Sequence, residues 1–400
     1  GSFDEIEQAL KQIPPSAIAP LIDQLQKAEN NQTMHQQAAA FLEKYKYPRP
    51  LLENILLVTD NTWDTVCNTL QINQAITPSI ATTVTNKRWQ CRWASKHDQE
   101  VFLSLFKAAF SHAMSSGLWK WKYDNQDRYG VLAHNAGKSI AYYGGLPRNF
   151  CLNGKTIPAV QICDVMVAPE MRGILTRKGP FMHTADIFLT ARVGQDKAHR
   201  FAFGFPSDRH ARLGEKSAWY ARTDSFLEVS WPVTTSLPFW FKATPFNEDY
   251  SALVDKLWQS MQTSLPNHLL PIKDATFFKW RYKDHPDHDY LSYVVSWRVI
   301  NKTIGIVTLR DHGLGSGMEI MDLLAPACGL KTLLSAAQHI CMRMGRTRLF
   351  GWMTPEILSF LPNPATQSEV SGVYVTPDFK NEADQQQIRW WLMSGDTDFK

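Results

Sequence analysis

Residues 159–193 read AVQICDVMVAPEMRGILTRKGPFMHTADIFLTARV. The β-branched and apolar run Val160, Ile162, Val165 and Val167 reads as a buried strand that stops at Ala168-Pro169. A polar loop from Glu170 to Gly179 follows, carrying Arg172, Arg177 and Lys178 with Gly173 and Gly179. Pro180 then stands where a first helical residue can do without its N–H. Phe181, Ala185, Phe188 and Leu189 recur at helical spacing and give one apolar stripe. Strand, basic loop and helix N-terminus together favour an anion, because free backbone N–H groups and the helix dipole point into the loop. A plain strand-to-helix connection with solvated basic residues is the alternative, and the flanking sequence weighs against it.

Upstream, Asp98–Ser111 reads as an amphipathic helix with Val101, Leu105, Phe106 and Ala109 on one side. Strands are expected at Tyr129–His134 and Ser139–Gly144, parted by the hairpin signal Asn135-Ala136-Gly137. Downstream, a strand at Phe201–Phe205 runs through Pro206-Ser207-Asp208 into a helix at Arg209–Lys216. Between 172 and 222 there are ten Lys or Arg against four Asp or Glu, although the chain as a whole carries only +4. Such local charge suits a compact anionic ligand and argues against nucleic acid as a partner.

The pattern occurs twice. Leu118-Trp-Lys-Trp-Lys-Tyr123 returns as Phe277-Phe-Lys-Trp-Arg-Tyr282, and Asp164-Val-Met-Val-Ala-Pro169 returns as Asp322-Leu-Leu-Ala-Pro326. Trp121 precedes Asp164 by about as far as Trp280 precedes Asp322, so the matches are in register and imply a duplicated α/β fold. After Pro326 only Lys331 stands where the first loop has three basic residues, which makes the second copy degenerate as a phosphate site.

Residues 1–86 differ in texture. They are rich in Gln, Asn and Ala, with helical patterning at Phe3–Ile13, Ala17–Ala28 and Met34–Tyr45 and a Thr/Ser-rich linker at 77–86. The expected organisation is therefore a helical region over 1–86, an anion-binding domain over 87–235 and its degenerate copy over 236–400. The Gly1-Ser2 start lacks Met and is consistent with a piece of a longer chain. At 400 residues and 44% apolar composition the chain can bury sizeable cores. Six scattered cysteines without a CxxC pair indicate neither zinc nor a disulfide framework, and no apolar run reaches transmembrane length. A cytoplasmic protein with no metal and no membrane partner is expected. His285-Pro-Asp-His288-Asp289 looks metal-like, but its proline breaks a regular helical face; Gly313-Leu-Gly315-Ser-Gly317 precedes a strand and reads as a turn.

These residues resemble the GNAT superfamily of acyl-CoA-dependent acyltransferases. The likeness rests on Val-Ala-Pro-Glu-Met-Arg172-Gly173, on the basic loop and its helix, and on Phe-Gly-Phe-Pro-Ser-Asp-Arg-His-Ala-Arg-Leu-Gly-Glu-Lys-Ser-Ala-Trp-Tyr220. It covers about 88–230 directly, and the repeat extends it over 275–400 as a tandem arrangement. The resemblance implies a mixed α/β sheet in which the strand before the loop splays from its neighbour. It implies acetyl-CoA or acyl-CoA as co-substrate, with Val165 and Val167 exposing backbone groups to the pantetheine. Arg172, Gly173, Thr176, Arg177, Lys178 and Gly179 would then hold the pyrophosphate. The family's helix commonly reads Asn-x-x-Ala-x-x-Leu-Tyr-Glu-Lys with the Tyr as general acid; here Gly214 stands at that Tyr.

Acyl transfer to an amine needs an oxyanion donor, a base and an acid. A backbone N–H near Val165 or Met166 suits the first. Asp164, a carboxylate in an apolar run where burial raises a pKa, is the candidate base, with a purely structural Asp as the alternative because Asp322 repeats it. Tyr220 and His210, with His183 behind them, are candidate acids or ligand contacts. The expected function is transfer of an acetyl or acyl group from CoA to a small-molecule amine. Transfer to a carrier-protein phosphopantetheine thiol within a larger synthase, and a non-catalytic acyl-CoA-binding scaffold, are the alternatives.

Overall fold

The computed structural model of the chain describes residues 89–124, 126, 128–172, 179–233, 237–246 and 251–399. The helical region and linker expected over 1–86, and the loop residues Gly173, Thr176, Arg177 and Lys178, lie outside the described residues. In chain order come β1 (Gln90–Trp93), α1 (Gln99–Phe110), α2 (Ser116–Tyr123), β2 (Gly130–Asn135), β3 (Lys138–Leu152) and β4 (Lys155–Val167). Then follow α3 (Pro180–Arg192), β5 (Phe201–Gly204), α4 (Asp208–Lys216), β6 (Ala221–Pro232), β7 (Phe241–Pro245), α5 (Ser251–Ser264) and β8 (His268–Pro271). The chain continues with α6 (Ala275–Phe278) and a π-turn at Lys279–Lys283, then β9 (Leu291–Trp297), β10 (Thr303–Asp311), β11 (Met318–Leu324) and α7 (Leu330–Arg343). It closes with β12 (Arg348–Met353), α8 (Pro355–Leu358), β13 (Thr366–Val375), α9 (Pro377–Gln385) and β14 (Arg389–Trp390).

The chain divides into two compact units. In the first, residues 89–94 and Val131–Ile140, β1 runs antiparallel to β2 with Cys91 opposite Ala133. The turn after β2 places both Ala136 (φ 49°) and Gly137 (φ 77°) in the left-handed region, the geometry a two-residue hairpin demands.

The second unit, Ser95–Gly130 with Ala141–Lys400, is built on a sheet in the order β3-β4-β5-β13-β6-β12-β11-β10-β9-β7. Its long arm is the β3–β4 hairpin, closed by Asn153-Gly154 with φ of 50° and 78° and Leu152 opposite Lys155. From β3 to β10 the order is palindromic. β4 lies parallel to β5, as β11 lies parallel to β12, and the antiparallel pair β13–β6 sits at the centre. β6 from the earlier half pairs β12, and β13 from the later half pairs β5, so each half contributes a strand to the other. That interleaving is why residues on both sides of the boundary expected at 235/236 fall into one compact unit.

Packing follows the sequence pattern with one shift. On α1 the buried stripe is Phe102, Leu105, Phe106 and Ala109, so Phe102 takes the place expected of Val101. Phe102 makes an edge contact with Tyr142 on β3, centroids 4.8 Å apart, and a tilted one with Tyr123 at 5.1 Å. Full burial of such a ring stabilises the fold by about 2–3 kcal/mol. The α1 start is fixed by a capping box in which Ser95 N–H donates to Asp98 Oδ2 at 2.8 Å. On the other face of β3, Tyr143 packs against Phe181 and Phe188 of α3. A second core joins the halves, with Phe150, Phe201, Phe203 and Phe226 against Val373, Phe379 and Trp390.

Candidate functional site

The site begins at an irregularity in β4. Against β3 the register slips between Tyr142 and Gly144, so that Tyr142 faces Met166 while Gly144 faces Cys163. Asp164 sits in this bulge with φ 50°, a left-handed conformation that Asp tolerates better than most residues. On its other side β4 pairs β5 only at Ala159, Val160 and Gln161. Gly204 at the end of β5 comes so close to Ile162 that an added Cβ would lie 3.2 Å from the Ile162 carbonyl. The β5 chain then leaves through Phe205-Pro206 for α4, and β4 runs on from Ile162 to Val167 without β5 alongside. An unpaired strand edge with a bulge is what lets backbone N–H groups meet a ligand.

At the far end of that edge, α3 starts at Gly179-Pro180 with no side chain capping it. Among the described residues no side chain caps its first N–H groups, and a helix start of this kind favours an anion. Arg172 is spent differently from the expectation of a phosphate ligand: its Nε donates to the Val167 carbonyl at 3.2 Å and its guanidinium also donates to the Ala109 carbonyl. It clamps the end of β4 to the end of α1.

Aromatic residues flank the start of α3. His210 of α4 stacks on Phe181 at 5.8 Å, and Trp219 lies 6.2 Å from the same ring. Desolvation, then the Arg209 and Arg172 charges, hold the His210 imidazole below its usual pKa, so it is neutral at pH 7. Its Nδ1 lies 3.4 Å from Ser207 Oγ. Tyr220 pairs hydroxyl to hydroxyl with buried Tyr143. Its ring covers Gly214, where an added Cβ would meet Tyr220 Cδ2 at 1.8 Å. Gly214 is thus required by Tyr220, whose ring fills the space a side chain at 214 would take. Burial raises the pKa of both phenols, and Tyr143's hydrogen bond partly opposes this at Tyr220.

Toward α2 lies a buried ionic cluster. Lys122 Nζ is 3.0 Å from Asp164 Oδ2 and 3.0 Å from Asp398 Oδ2. Tyr123 donates to Asp164 Oδ2 at 2.6 Å, and Gln161 Nε2 donates to Asp398 Oδ1 at 3.3 Å. Desolvation alone would lower the Lys122 pKa, but the two carboxylates more than offset it, and the ammonium stays charged. Burial pushes Asp398 above the ordinary carboxylate range; Lys122 pulls against it and Asp164 adds to it. Burial also lifts the Cys163 thiol well above its normal value, with both carboxylates reinforcing the effect, so it is no nucleophile. Cys163, Asp164 and Asp398 bring three ligand-type atoms within 4.8 Å, but the Lys122 ammonium already supplies their cation.

A matching cluster occupies the other half. Lys273 Nζ lies 2.7 Å from Asp322 Oδ1 and 3.2 Å from Asp396 Oδ2, and Tyr282 donates to Asp322 Oδ2 at 3.0 Å. Accessibility separates the two. Asp164 and Asp398 side chains keep 11% and 9% exposure, whereas Asp322 and Asp396 keep 4% and 0%. The later half also has its splay filled. Gly351 approaches the Ile320 carbonyl as Gly204 approaches that of Ile162, but beyond it Trp352 N–H donates to Ser394 Oγ and Gly395 packs on Met321.

The structure thus places Asp164, Val165 and Val167 on the bulged strand, Gly179 at the start of α3, and His210 and Tyr220 beside that start. His183 lies one turn into α3, its N–H bonded to the Gly179 carbonyl. Lys122, Tyr143, Gln161 and Asp398 were not singled out in the sequence. Only Lys122 carried a signal, within the repeated Trp-Lys-Trp-Lys-Tyr; Asp398 lies far away in sequence beside the C-terminal Phe-Lys. The metal-like His285 accepts from Asp287 N–H and stacks with His288, a local turn. Gly313 and Gly315 form the β10–β11 turn with φ of 87° and 85°.

Residues 90–210, which hold the bulged strand and the start of α3, match the family model described as an acetyltransferase (GNAT) domain, and this match supports an acyl-CoA-dependent enzyme. Solved structures share the fold over more of the chain. A probable N-acyltransferase from Enterococcus faecalis V583 aligns at a TM-score of 0.56 with 10% identity, covering 72% of each chain. GCN5-related N-acetyltransferases from Anabaena variabilis (TM-score 0.53, 13% identity, 72% of each chain) and Kribbella flavida (0.53, 11%, 72% of this chain and 70% of that one) align similarly. A search of curated proteins gives no match.

Proposed function

We propose that the chain transfers an acyl group from acyl-CoA to the amine of a small molecule, at the splay between β4 and β5. The observation that carries this reading is the coincidence at one place of the Asp164 bulge, the end of the β4–β5 pairing and the uncapped start of α3. The N–H groups of Val165 and Met166 would orient the thioester carbonyl and stabilise charge on its oxygen. The α3 start, with the cations Arg177 and Lys178, would hold the pyrophosphate. Bound there, acyl-CoA supplies the activated acyl group. The amine's proton goes to the Asp164/Asp398 pair, which Lys122 ties together. Tyr220 would protonate the departing thiolate, and the hydroxyl of Tyr143 bonded to it would stabilise the phenolate. We infer further that the two halves are copies of one domain. The palindromic strand order and the paired Lys–Asp–Tyr clusters support this, and the Ser394–Asp396 plug supports a second copy that serves as scaffold.

Calorimetric titration with acetyl-CoA and with a longer acyl-CoA tests the reading. Saturable binding, weakened in Arg177→Ala/Lys178→Ala, is expected, and loss of binding to both thioesters in the wild-type chain would overturn it. An amine screen then follows in which Asp164→Asn keeps CoA binding but loses about 10²–10⁴-fold in turnover. Turnover unchanged by that substitution would remove Asp164 from the base pair, and absence of turnover with any acceptor in the presence of tight binding would favour the scaffold.

A further inference from the structure

The far edge of the sheet carries an apolar surface unrelated to the acyl-transfer site. Two segments build it: the turn 237–240 leading into β7, and the β9–β10 hairpin tip 297–302. Phe239, Trp240, Trp297, Val299 and Ile300 are all exposed, with Val299 at 87% and Phe239 at 76%, levels at which an apolar side chain has almost no protein around it. The rings are contiguous: Phe239 to Trp240 at 4.8 Å, Trp240 to Phe241 at 6.2 Å, and Phe241 to Trp297 at 4.6 Å.

Arg298 fixes the two segments to each other. Its backbone N–H donates to the Trp240 carbonyl at 2.6 Å, and its guanidinium donates to the carbonyls of Phe239 at 2.7 Å and Phe241 at 3.0 Å. No carboxylate among the described residues pairs with that guanidinium. Lys242 and Lys302 add two more cations, and no Asp or Glu occurs in 237–246 or 291–304. A rigid platform of exposed Trp and Phe, two aliphatic side chains at a hairpin tip, and only positive charge among them is the composition of a surface that sits at a lipid–water boundary.

We propose that this face docks on an anionic lipid bilayer, with Val299 and Ile300 entering the acyl region and the indoles of Trp240 and Trp297 at headgroup level. The absence of a spanning run does not bear on this, since a peripheral surface needs none; among the described residues no helix is long and apolar enough to cross a membrane. A second copy fits less well, because a two-fold contact through this face would bring its own cations together. An added peptide strand is opposed by the shortness of β7, five residues ending in Pro245.

Co-sedimentation of the full chain with two kinds of vesicle tests the proposal: phosphatidylcholine alone, and phosphatidylcholine with about one-third phosphatidylserine. The expected result is binding to the anionic vesicles that weakens with salt, with tryptophan emission quenched by brominated lipid. Val299→Asp/Ile300→Asp should reduce that binding at least about tenfold, and Lys242→Gln/Lys302→Gln should reduce it about fivefold per lysine on anionic vesicles only. Both pairs are exposed or edge positions, and unchanged thermal midpoints will show that the variants fold. No sedimentation with either vesicle would overturn the proposal. So would a concentration-dependent dimer that the Val299→Asp/Ile300→Asp variant abolishes, which would make the face a contact between copies.

Discussion

The indoles of Trp121 and Trp280 stack with centroids 4.3 Å apart and planes 1° apart, and each donates its Nε1–H to the other's backbone carbonyl, at 2.7 Å and 3.2 Å. The contact is reciprocal, residue for residue, between positions that correspond in the sequence repeat. It is the contact that two-fold related copies would make, as the proposed duplication requires. It also lies on the helical segments that carry Lys122 and Tyr123 on one side and Arg281 and Tyr282 on the other, so the pair holds both ionic clusters in place.

Because the stacking needs both indoles, while each hydrogen bond needs only its own indole and the other residue's backbone carbonyl, the two substitutions should be non-additive by the stacking alone. Trp121→Ala and Trp280→Ala should each lower stability by about 2–4 kcal/mol, and the double variant should lose about 1–2 kcal/mol less than their sum. Urea unfolding of the four proteins measures the coupling. A coupling energy near zero would mean that the stacking contributes only its burial.

Asp224 on β6 gives a pH signature of its own. Burial raises its pKa to about 6, while the Ser225 N–H, which donates to it at 2.7 Å, pulls the other way. A carboxylate whose folded pKa lies above its unfolded value contributes stability below pH 4 that is lost as pH rises through about 6. Asp224→Asn keeps the acceptor without the charge. It should therefore leave the melting midpoint near pH 4 unchanged and raise stability at pH 8 by about 1–2 kcal/mol, discounted for the residue's partial exposure. Thermal melts of both proteins across this range check the sign.

Local pattern carried most of the first half. The end of β4 at Val167, the start of α3 at Pro180, the helix expected at Arg209–Lys216 and the Asn135-Ala136-Gly137 turn are all legible, because strand alternation, helix stripe and turn chemistry act over a few residues. Asn153-Gly154 closes a hairpin that the sequence reading leaves out, so β3 runs 15 residues to Leu152 opposite Lys155 where a strand ending at Gly144 is expected, and β8 adds pairs to Phe150 and Cys151 from more than a hundred residues away. The same holds for the site. Asp164 and Tyr220 stand next to readable motifs, but Asp398 reaches Lys122 across 276 positions and Tyr143 looks like any core tyrosine. The exchange of β6 and β13 leaves no local mark either, since an antiparallel strand reads the same whichever partner it finds.

Gly214 and Tyr220 form the most restrictive contact near the candidate acid. A methyl group at 214 would overlap the Tyr220 ring, so Gly214→Ala must displace it and break its bond to Tyr143. If Tyr220 supplies the proton, Gly214→Ala and Tyr220→Phe should both cut turnover by about 10²-fold or more while acyl-CoA still binds. Tyr220→Phe keeps the ring over Gly214, so its thermal midpoint should stay close to wild type, and that of Gly214→Ala should fall. Turnover in Tyr220→Phe equal to wild type would move the acid elsewhere.

The two Lys–Asp–Asp clusters should respond in opposite ways to the same change. Asp322 is sealed, and Asp322→Asn leaves the buried Lys273 with Asp396 as its remaining carboxylate; a loss of about 3 kcal/mol in stability is expected. Asp164 and Asp398 keep more exposure, 11% and 9%, and if they form the base their substitution to Asn should fall mainly on turnover. The pH profile separates base from scaffold. With Asp398 held above the ordinary carboxylate range by burial, kcat/KM should fall on the acid side at a pH above the usual Asp value, as the pair takes up a proton before substrate arrives. Asp398→Asn should shift that limb to lower pH as well as slow the reaction, because one negative charge then faces Lys122 instead of two. An acid limb that stays in place in both Asp164→Asn and Asp398→Asn would show that neither carboxylate takes the proton, and would reduce the first cluster to the role of the second.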